Sequence, residues 1–360
     1  MSTPSAVGIA RSERCLRHRV VGHPDRPERL EAIEERLHGD GLTPAVSALP
    51  VRMATEDELL LVHSPALVHT IKTFCARPSG GWLTPDTPVC PESHHAALWA
   101  AGCALSAVDA VLRGKVQSAF ALCRPPGHHA NRDQARGFCL YNNVALAAAY
   151  AQAQYALDSI AILDWDLHHG NGTQHIFYPA GRVSFVSLHV YGPSFYPGSG
   201  ALDEMGDGDG LGHNLNLPLP PGCGDDDYQY VFESLVAPAL CAWKPQLLLV
   251  SAGFDAHKDD PFQAMRLTSA GFYRLAKMAA EFAHGAGIGL VLVLEGGYNL
   301  QALGESVAEC IKGLLGLGPG VETPPRAEPS AAVAALVERG RRTFPPHSRS
   351  RLEPRAASRH

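Results

Sequence analysis

The stretch Asp164-Trp165-Asp166-Leu167-His168-His169-Gly170-Asn171-Gly172 places two carboxylates and two imidazoles within six residues, directly after the apolar run Ile160-Ala161-Ile162-Leu163. Side chains at i and i+2 of an extended segment point the same way, so Asp164, Asp166 and His168 are expected to face one cavity, with Asp166 and His168 gripping one ion. The Gly-Asn-Gly that follows is expected to turn the backbone sharply and start a helix. A solvated loop with surface histidines is the competing reading. Against it stands the apolar strand, which delivers its end into the interior, where unpartnered carboxylates are costly and a metal cation is their natural partner.

A catalytic zinc site has three protein ligands and one open position. The third candidate ligand is Asp255, at the end of another apolar run; His257, Asp259 and Asp260 are further candidates along the same loop. Two carboxylates and one imidazole suit zinc, and also ferrous iron or cobalt. His128 and His129 are adjacent in a rigid Pro-Pro-Gly loop, which suits imidazoles held near a metal-bound water. Each needs an orienting partner, and Asp164 and Asn171 are the natural pair, one for each. A His-Asp pair favours a charged imidazolium, whereas His-Asn leaves a more nearly neutral base. Tyr298, in Gly-Gly-Tyr, is placed to donate to an oxyanion. These parts describe metal-assisted hydrolysis of an amide, with a histidine as general base and then acid.

Five apolar runs must position these groups: Ser118 to Cys123, Ile160 to Leu163, Val183 to Leu188, Leu247 to Val250 and Gly289 to Leu294. Helical periodicity predicts helices over Glu28 to Leu37, Ser93 to Leu112, Val144 to Gln154, Tyr228 to Trp243, Gly271 to His284 and Leu303 to Leu315, and two short ones between Glu56 and Ala76 broken near Pro65. Strands alternating with helices predict an α/β fold with a mostly parallel sheet and helices on both faces. Each apolar run is followed at once by a polar, Gly-rich segment, so five segments converge on the carboxyl edge of the sheet, where sites of such folds gather.

The 360 residues are 46% hydrophobic with a formal net charge of −6, which gives no electrostatic footprint for nucleic acid. The nine cysteines contain no Cys-x-x-Cys, and reduced thiols in a cytoplasm are expected. No signal-like segment is seen before Arg14, no stretch reads as approaching the roughly 18 apolar residues of a membrane span, and no membrane partner is expected. Past Gly320 the composition turns to Pro, Ala, Arg and Ser, so residues 1–318 are expected to form one domain and 319–360 a partly flexible tail. On spacing alone, Arg29 is either functional or paired with a surface carboxylate.

Arg-Pro-Pro-Gly-His-His at 124–129, Gly-Phe-Cys-Leu-Tyr-Asn-Asn at 137–143, the 164–174 stretch, Ser-Ala-Gly-Phe-Asp at 251–255 and Leu-Glu-Gly-Gly-Tyr-Asn at 294–299 together resemble the histone deacetylase and acetylpolyamine amidohydrolase superfamily. Asn171 and Glu295 resemble its class II branch, including bacterial members. The resemblance covers roughly His18 to Leu315 and implies an arginase-like α/β fold and a zinc-dependent deacetylase. It implies ligand roles for Asp166, His168 and Asp255, paired-histidine roles for His128 and His129, and His129 as the main general base and acid. A narrow acetyl-lysine tunnel is implied between Phe138 and Tyr196, where relatives usually carry Phe at the second position. Gly137 would offer its carbonyl to the substrate, Asp86 matches a rim carboxylate, and Phe262 stands as an apolar gate where many relatives have Leu. A structural potassium is implied beneath the zinc, held by Asp164 and Ser187 side chains and by backbone oxygens of Asp166, His168 and Leu188. Arg29 resembles an arginine behind the metal that helps acetate leave.

The expected function is therefore removal of acetyl or other acyl groups from lysine-like amines, with acetylated lysine side chains or acetylated small amines as partners and a homo-oligomer admitted. An acetylpolyamine deacetylase is the alternative enzyme, and a catalytically silent acyl-lysine binding module the alternative of another class.

Overall fold

The computed structural model describes residues 5–192, 194–322 and 326–344. The strands are β1 (Ser5–Arg11), β2 (Ser47–Ala48), β3 (Gly81–Thr84), β4 (Thr87–Val89), β5 (Val116–Leu122), β6 (Ile160–Asp164), β7 (Val183–Val190), β8 (Asn214–Leu219), β9 (Leu247–Ala252) and β10 (Gly289–Leu294). The helices are α1 (Glu28–Gly39), α2 (Glu56–Leu59), α3 (Pro65–Cys75), α4 (Ser93–Leu112), α5 (Asn143–Tyr155), α6 (Asn171–Phe177), α7 (Asp225–Val231), α8 (Ala237–Trp243), α9 (Ser269–Gly285), α10 (Leu300–Leu314) and α11 (Ala331–Thr343).

Eight strands form one sheet in the order β2-β1-β5-β10-β9-β6-β7-β8, and every pair in it is parallel. β3 and β4 form a separate antiparallel hairpin. Parallel strands covered on both faces read as unbroken apolar runs, and β6 and β9 are buried at every position. Helices pack around the sheet in two groups, α4 with α5, and α1, α10, α9 and α7 in series. Side-chain caps set where several helices begin: Ser64 for α3, Asn142 for α5, Thr268 for α9 and Asn299 for α10. The cap residue Asn299 directly follows Tyr298 and α10 begins at Leu300, so the helix start and the loop carrying that tyrosine are one unit.

The five strands read from the sequence form, and three more join the sheet. β1 and β2 extend one edge and β8 the other. The pattern over Tyr228 to Trp243 is α7 and α8 joined by a π-turn over Phe232–Val236, just before Pro238, which has no N–H to give to a regular ladder. Helix α4 corrects the expectation about apolar length: its 20 residues are long and apolar enough to cross a membrane, yet 78% of that window is buried inside the protein, which makes it a core helix. The expected tail from residue 319 also differs. Residues 331–343 form α11, whose Val333, Leu336 and Val337 are buried against the body, because the apolar i, i+3, i+4 stripe between Pro-rich flanks finds a surface beside β8 and the π-turn. Arg349 and Arg351 lie outside the described residues.

Candidate metal centre and acyl tunnel

β6 ends at Asp164, and the chain then delivers Asp166 and His168 to one side while β9 delivers Asp255. Among the described residues these three form the one group of His, Cys, Asp or Glu side chains able to hold a metal ion; they are buried and their ligand atoms lie within 4.8 Å of one another. His168 Nδ1 is 3.0 Å from Asp255 Oδ2 and 3.3 Å from Asp166 Oδ1. Tetrahedral ligands about 2.0–2.2 Å from zinc stand about 3.3 Å apart, so the donor set fits such an ion. The electrostatics agree. Burial works against a charged His168, yet Asp166 and Asp255 push it up to about 9, so the two carboxylates favour positive charge at this point. Outer bonds fix both carboxylates: Asp166 Oδ2 accepts from Gly296 N at 2.9 Å and Asp255 Oδ1 from Leu167 N at 2.9 Å. A Cβ at Gly296 would stand 2.6 Å from Asp255 Oδ2 and 2.7 Å from Asp166 Oδ2, so only glycine lets that loop close over the ligands.

The glycines of Gly170-Asn171-Gly172 serve close approach rather than a left-handed turn. Helix α6 does start at Asn171, but at ordinary φ; a Cβ on Gly172 would run into the Ala130 carbonyl, and one on Gly170 into the Asp164 carboxylate. This tight packing brings the histidine loop against β6. His128 Nδ1 lies 2.9 Å from Asp164 Oδ2, and His129 Nδ1 lies 2.7 Å from Asn171 Oδ1. The two imidazoles, 4.0 Å apart, therefore differ in character. Burial disfavours charge on both, but Asp166 and Asp164 overcome it at His128 and raise its pKa, whereas His129 is lowered by burial and by its neighbours His128 and His168.

Glu295 holds this loop, a job that sequence reading missed: its Oε2 accepts from Gly127 N at 2.6 Å and His128 N at 3.1 Å. Burial pushes Glu295 up to about 7. A carboxylate closing an otherwise apolar strand was the available signal. Of the rival ligands, Asp260 instead accepts from Tyr298 N at 2.7 Å and Asn299 N at 3.3 Å, and His257 accepts from Asp259 N at 3.1 Å. Tyr298, His128, His129, Asp166 and His168 line one cavity of about 210 Å³. A larger cavity of about 610 Å³, near Val62, His175 and Arg182, contains none of these groups.

The histone deacetylase domain model matches residues 23–314. The chain belongs to the histone deacetylase family. It is 40% identical over 341 residues to histone deacetylase 15 of Arabidopsis thaliana, covering 92% of this chain but 60% of the plant protein. It is 38% identical over 281 residues to a histone deacetylase-like amidohydrolase of Pseudomonas aeruginosa, covering 78% and 73%. It is 39% identical over 323 residues to polyamine deacetylase HDAC10 of Homo sapiens, covering 87% and 47%. The crystal structure of the HDA15 HD domain matches with a TM-score of 0.87 at 37% identity, covering 94% of this chain and 95% of that one. The fold is the arginase/deacetylase α/β fold, and the family is one of deacetylases and amidohydrolases.

In this histone deacetylase family chain the remaining residues expected at a tunnel come together around the same cavity: Asp86, Gly137, Phe138, Tyr196 and Phe262 all line it. Phe138 holds a left-handed φ of 69°, a costly conformation for a bulky residue, and three contacts hold it there. Its N–H donates to Thr87 Oγ1 at 3.2 Å, and its ring meets His23 edge-on at 4.5 Å and Tyr298 at 5.8 Å. Tyr196 stands perpendicular to His129 at 5.0 Å, and Phe262 packs on His168 at 4.8 Å and Tyr298 at 5.6 Å. Phe195, not singled out from sequence, stacks on His168 at 5.4 Å. Asp86 Oδ1 accepts from Thr84 and Thr87 hydroxyls and from Gly137 N at 3.2 Å. Of the potassium candidates, Asp164 and Ser187 stand side by side, since β6 and β7 pair them in register.

Arg29 corrects the surface ion-pair reading. It is fully buried behind Tyr298, with Nη1 on Asp25 Oδ1 at 2.8 Å, Nε on the Gly297 carbonyl at 2.6 Å and Nη2 on the Glu295 carbonyl at 2.6 Å. Its Cζ lies 5.0 Å from the Tyr298 ring centroid. Asp25, shared with buried Arg124, is the anchor of this group.

Proposed function

We propose that the chain is a zinc-dependent amidohydrolase that removes acetyl groups from lysine-like amines. The observation that carries this reading is the unequal partnering of His128 by a carboxylate and His129 by an amide, beside a buried Asp-His-Asp trio.

Asp166, His168 and Asp255 would hold the ion. A divalent cation there supplies Lewis acidity, polarising an amide carbonyl and lowering the pKa of a water. His129, uncharged beside Asn171, takes the water's proton and returns it to the leaving amine nitrogen. His128, kept charged by Asp164, presents a fixed positive charge to the developing oxyanion. Tyr298 donates its hydroxyl proton to the same oxygen. Phe138 and Tyr196 exclude water from an apolar stem, and the Gly137 carbonyl accepts from the substrate amide. Arg29 would line the route by which acetate leaves. A potassium ion between Asp164, Ser187 and the carbonyls of Asp166, His168 and Leu188 would stiffen the ligand strand. Nine free thiols support a reducing compartment such as the cytoplasm.

Similarity to a protein named polyamine deacetylase favours a second reading, acetylpolyamines as substrate. Phe262 gives that reading no positive support, because an apolar gate adds no counter-charge for a polycation. The test is acetate release from an acetyl-lysine peptide and from acetylputrescine by chelator-stripped and zinc-restored protein. Zinc should restore turnover of the peptide, and Tyr298→Phe should lower kcat about 10²–10³-fold. Asp255→Ala should lose the metal. A zinc-loaded wild type that binds both compounds tightly and releases no acetate would overturn the reading in favour of a binding module.

A further inference from the structure

Arg136 stands immediately before the tunnel wall. Its backbone is paired with Cys139 in both directions, at 3.1 and 3.0 Å, around Gly137 and Phe138, which both hold positive φ. Its base is thus as fixed as the wall itself. The half-buried guanidinium donates from Nε to the Tyr196 hydroxyl at 3.0 Å and lies 5.2 Å from that ring's centroid. Among the described residues no carboxylate pairs with Arg136, and its Nη groups have no partner. On a chain with six more acidic than basic residues, 36 against 30, a guanidinium without a carboxylate partner, bonded to the hydroxyl of the cavity-lining Tyr196, is a charge left open.

Asp86 lies on the same rim, tied through Gly137 N, with Oδ1 saturated by three donors and Oδ2 free of any bond among the described residues. An anion in the cavity lining, Asp86, and a cation held on the lining residue Tyr196 therefore flank the same aromatic walls. An Arg fork matches a carboxylate with two parallel N–H donors, which an ammonium cannot do. A polyamine would leave Arg136 unpaired and would bring like charge against it.

We propose that Arg136 is a specificity-determining residue that takes a carboxylate lying beside the Cα of the acylated lysine. This rests on the reading that the cavity accepts an acyl-lysine stem. The carboxylate has two sources: the α-carboxylate of a free acyl-lysine, or an acidic side chain next to the acyl-lysine in a peptide.

The zinc-loaded full chain separates them. Nα-blocked Nε-acetyl-lysine is compared with its own carboxamide, and two peptides are compared that differ by Asp or Lys after the acetyl-lysine. Wild type should favour the carboxylate member of at least one pair by about threefold to tenfold in kcat/KM, through KM, since a charge-assisted bond at a half-exposed rim is worth that much. A preference confined to the first pair names the α-carboxylate as the ligand; one confined to the peptides names the acidic neighbour. Arg136→Gln, which keeps a donor for the Tyr196 hydroxyl and removes the charge, should bring the ratio to one, and Arg136→Glu should invert it. A merely structural arginine would change both members of each pair alike. Wild-type ratios of one, or ratios that survive in Arg136→Gln, overturn the inference. The same pairs are measured by equilibrium binding to Tyr298→Phe, so absence of turnover with every substrate counts against the amidohydrolase reading while the binding ratio still decides the role of Arg136.

Discussion

His128 and His129 are neighbours in the chain with opposite electrostatic surroundings, and the difference lies in their partners. Asn171→Asp would give His129 a carboxylate at 2.7 Å, stabilise its imidazolium and raise its pKa. In its proposed role as base His129 must be unprotonated, so the acid limb of the kcat/KM profile should move to higher pH, and a pH–rate measurement checks this. Arg29 acts on a different quantity. Arg29→Ala would leave the buried Asp25 with one guanidinium fewer and strand the Glu295 and Gly297 carbonyls, so we expect a loss of about 3–5 kcal/mol in denaturant unfolding. Asp166, His168 and the histidine pair were legible because their spacing is local, i, i+2 alternation past one strand end and adjacency in one loop, whereas Asp255, 87 positions from His168, was legible only as the end of another apolar run. The roles of Arg29, Asp25 and Glu295 were not, since Arg29 meets Gly297 across 268 positions and Glu295 meets Gly127 across 168. Periodicity contains no information at that range.

At the level of elements, buried helices and central strands were legible and edges were not. Helix α4 was readable to both ends because an Ala-rich run stops at a glycine. β1 and β8 escaped notice because Arg11 in one and Asn214, Asn216 and Pro218 in the other break the apolar run that marks a central strand. Helix α11 was hidden by its Pro- and Arg-rich flanks, yet Leu336 is 1% exposed. Leu336→Ala should therefore cost about 2–5 kcal/mol in denaturant unfolding, a loss that a free tail could not show. The cavity is likewise made by elements that no local pattern joins, the loop after β5 with Phe138 and the loop after β7 with Tyr196.

The whole molecule buries several imidazoles uncharged. His63 accepts from Asn142 N at its Nε2 and faces the Asn131 carbonyl with Nδ1, so a second ring proton has no place to go. Burial lowers His63 to about 4, and burial with the nearby Arg124 cation lowers His18 to about 3, both from 6.5. Between pH 6.5 and about 4 the unfolded chain takes up protons that the folded one refuses. Stability is then full above 6.5 and declines as the solution is acidified, which thermal unfolding across that range should show; His63→Gln should flatten the slope. The strand order has an implication for synthesis. β9 and β10 are made late yet lie between β5 and β6, at the middle of the sheet. A nascent chain that has emerged as far as Trp243 contains the strands β2-β1-β5 and β6-β7-β8 but not the two that join them, so the edges of β5 and β6 have no partner until those strands leave the ribosome. Asp255, Glu295 and Tyr298 arrive with those same strands or just after them, so closing the sheet and assembling the site are one event, and stalled chains short of Leu294 are the species for which chaperones would be needed.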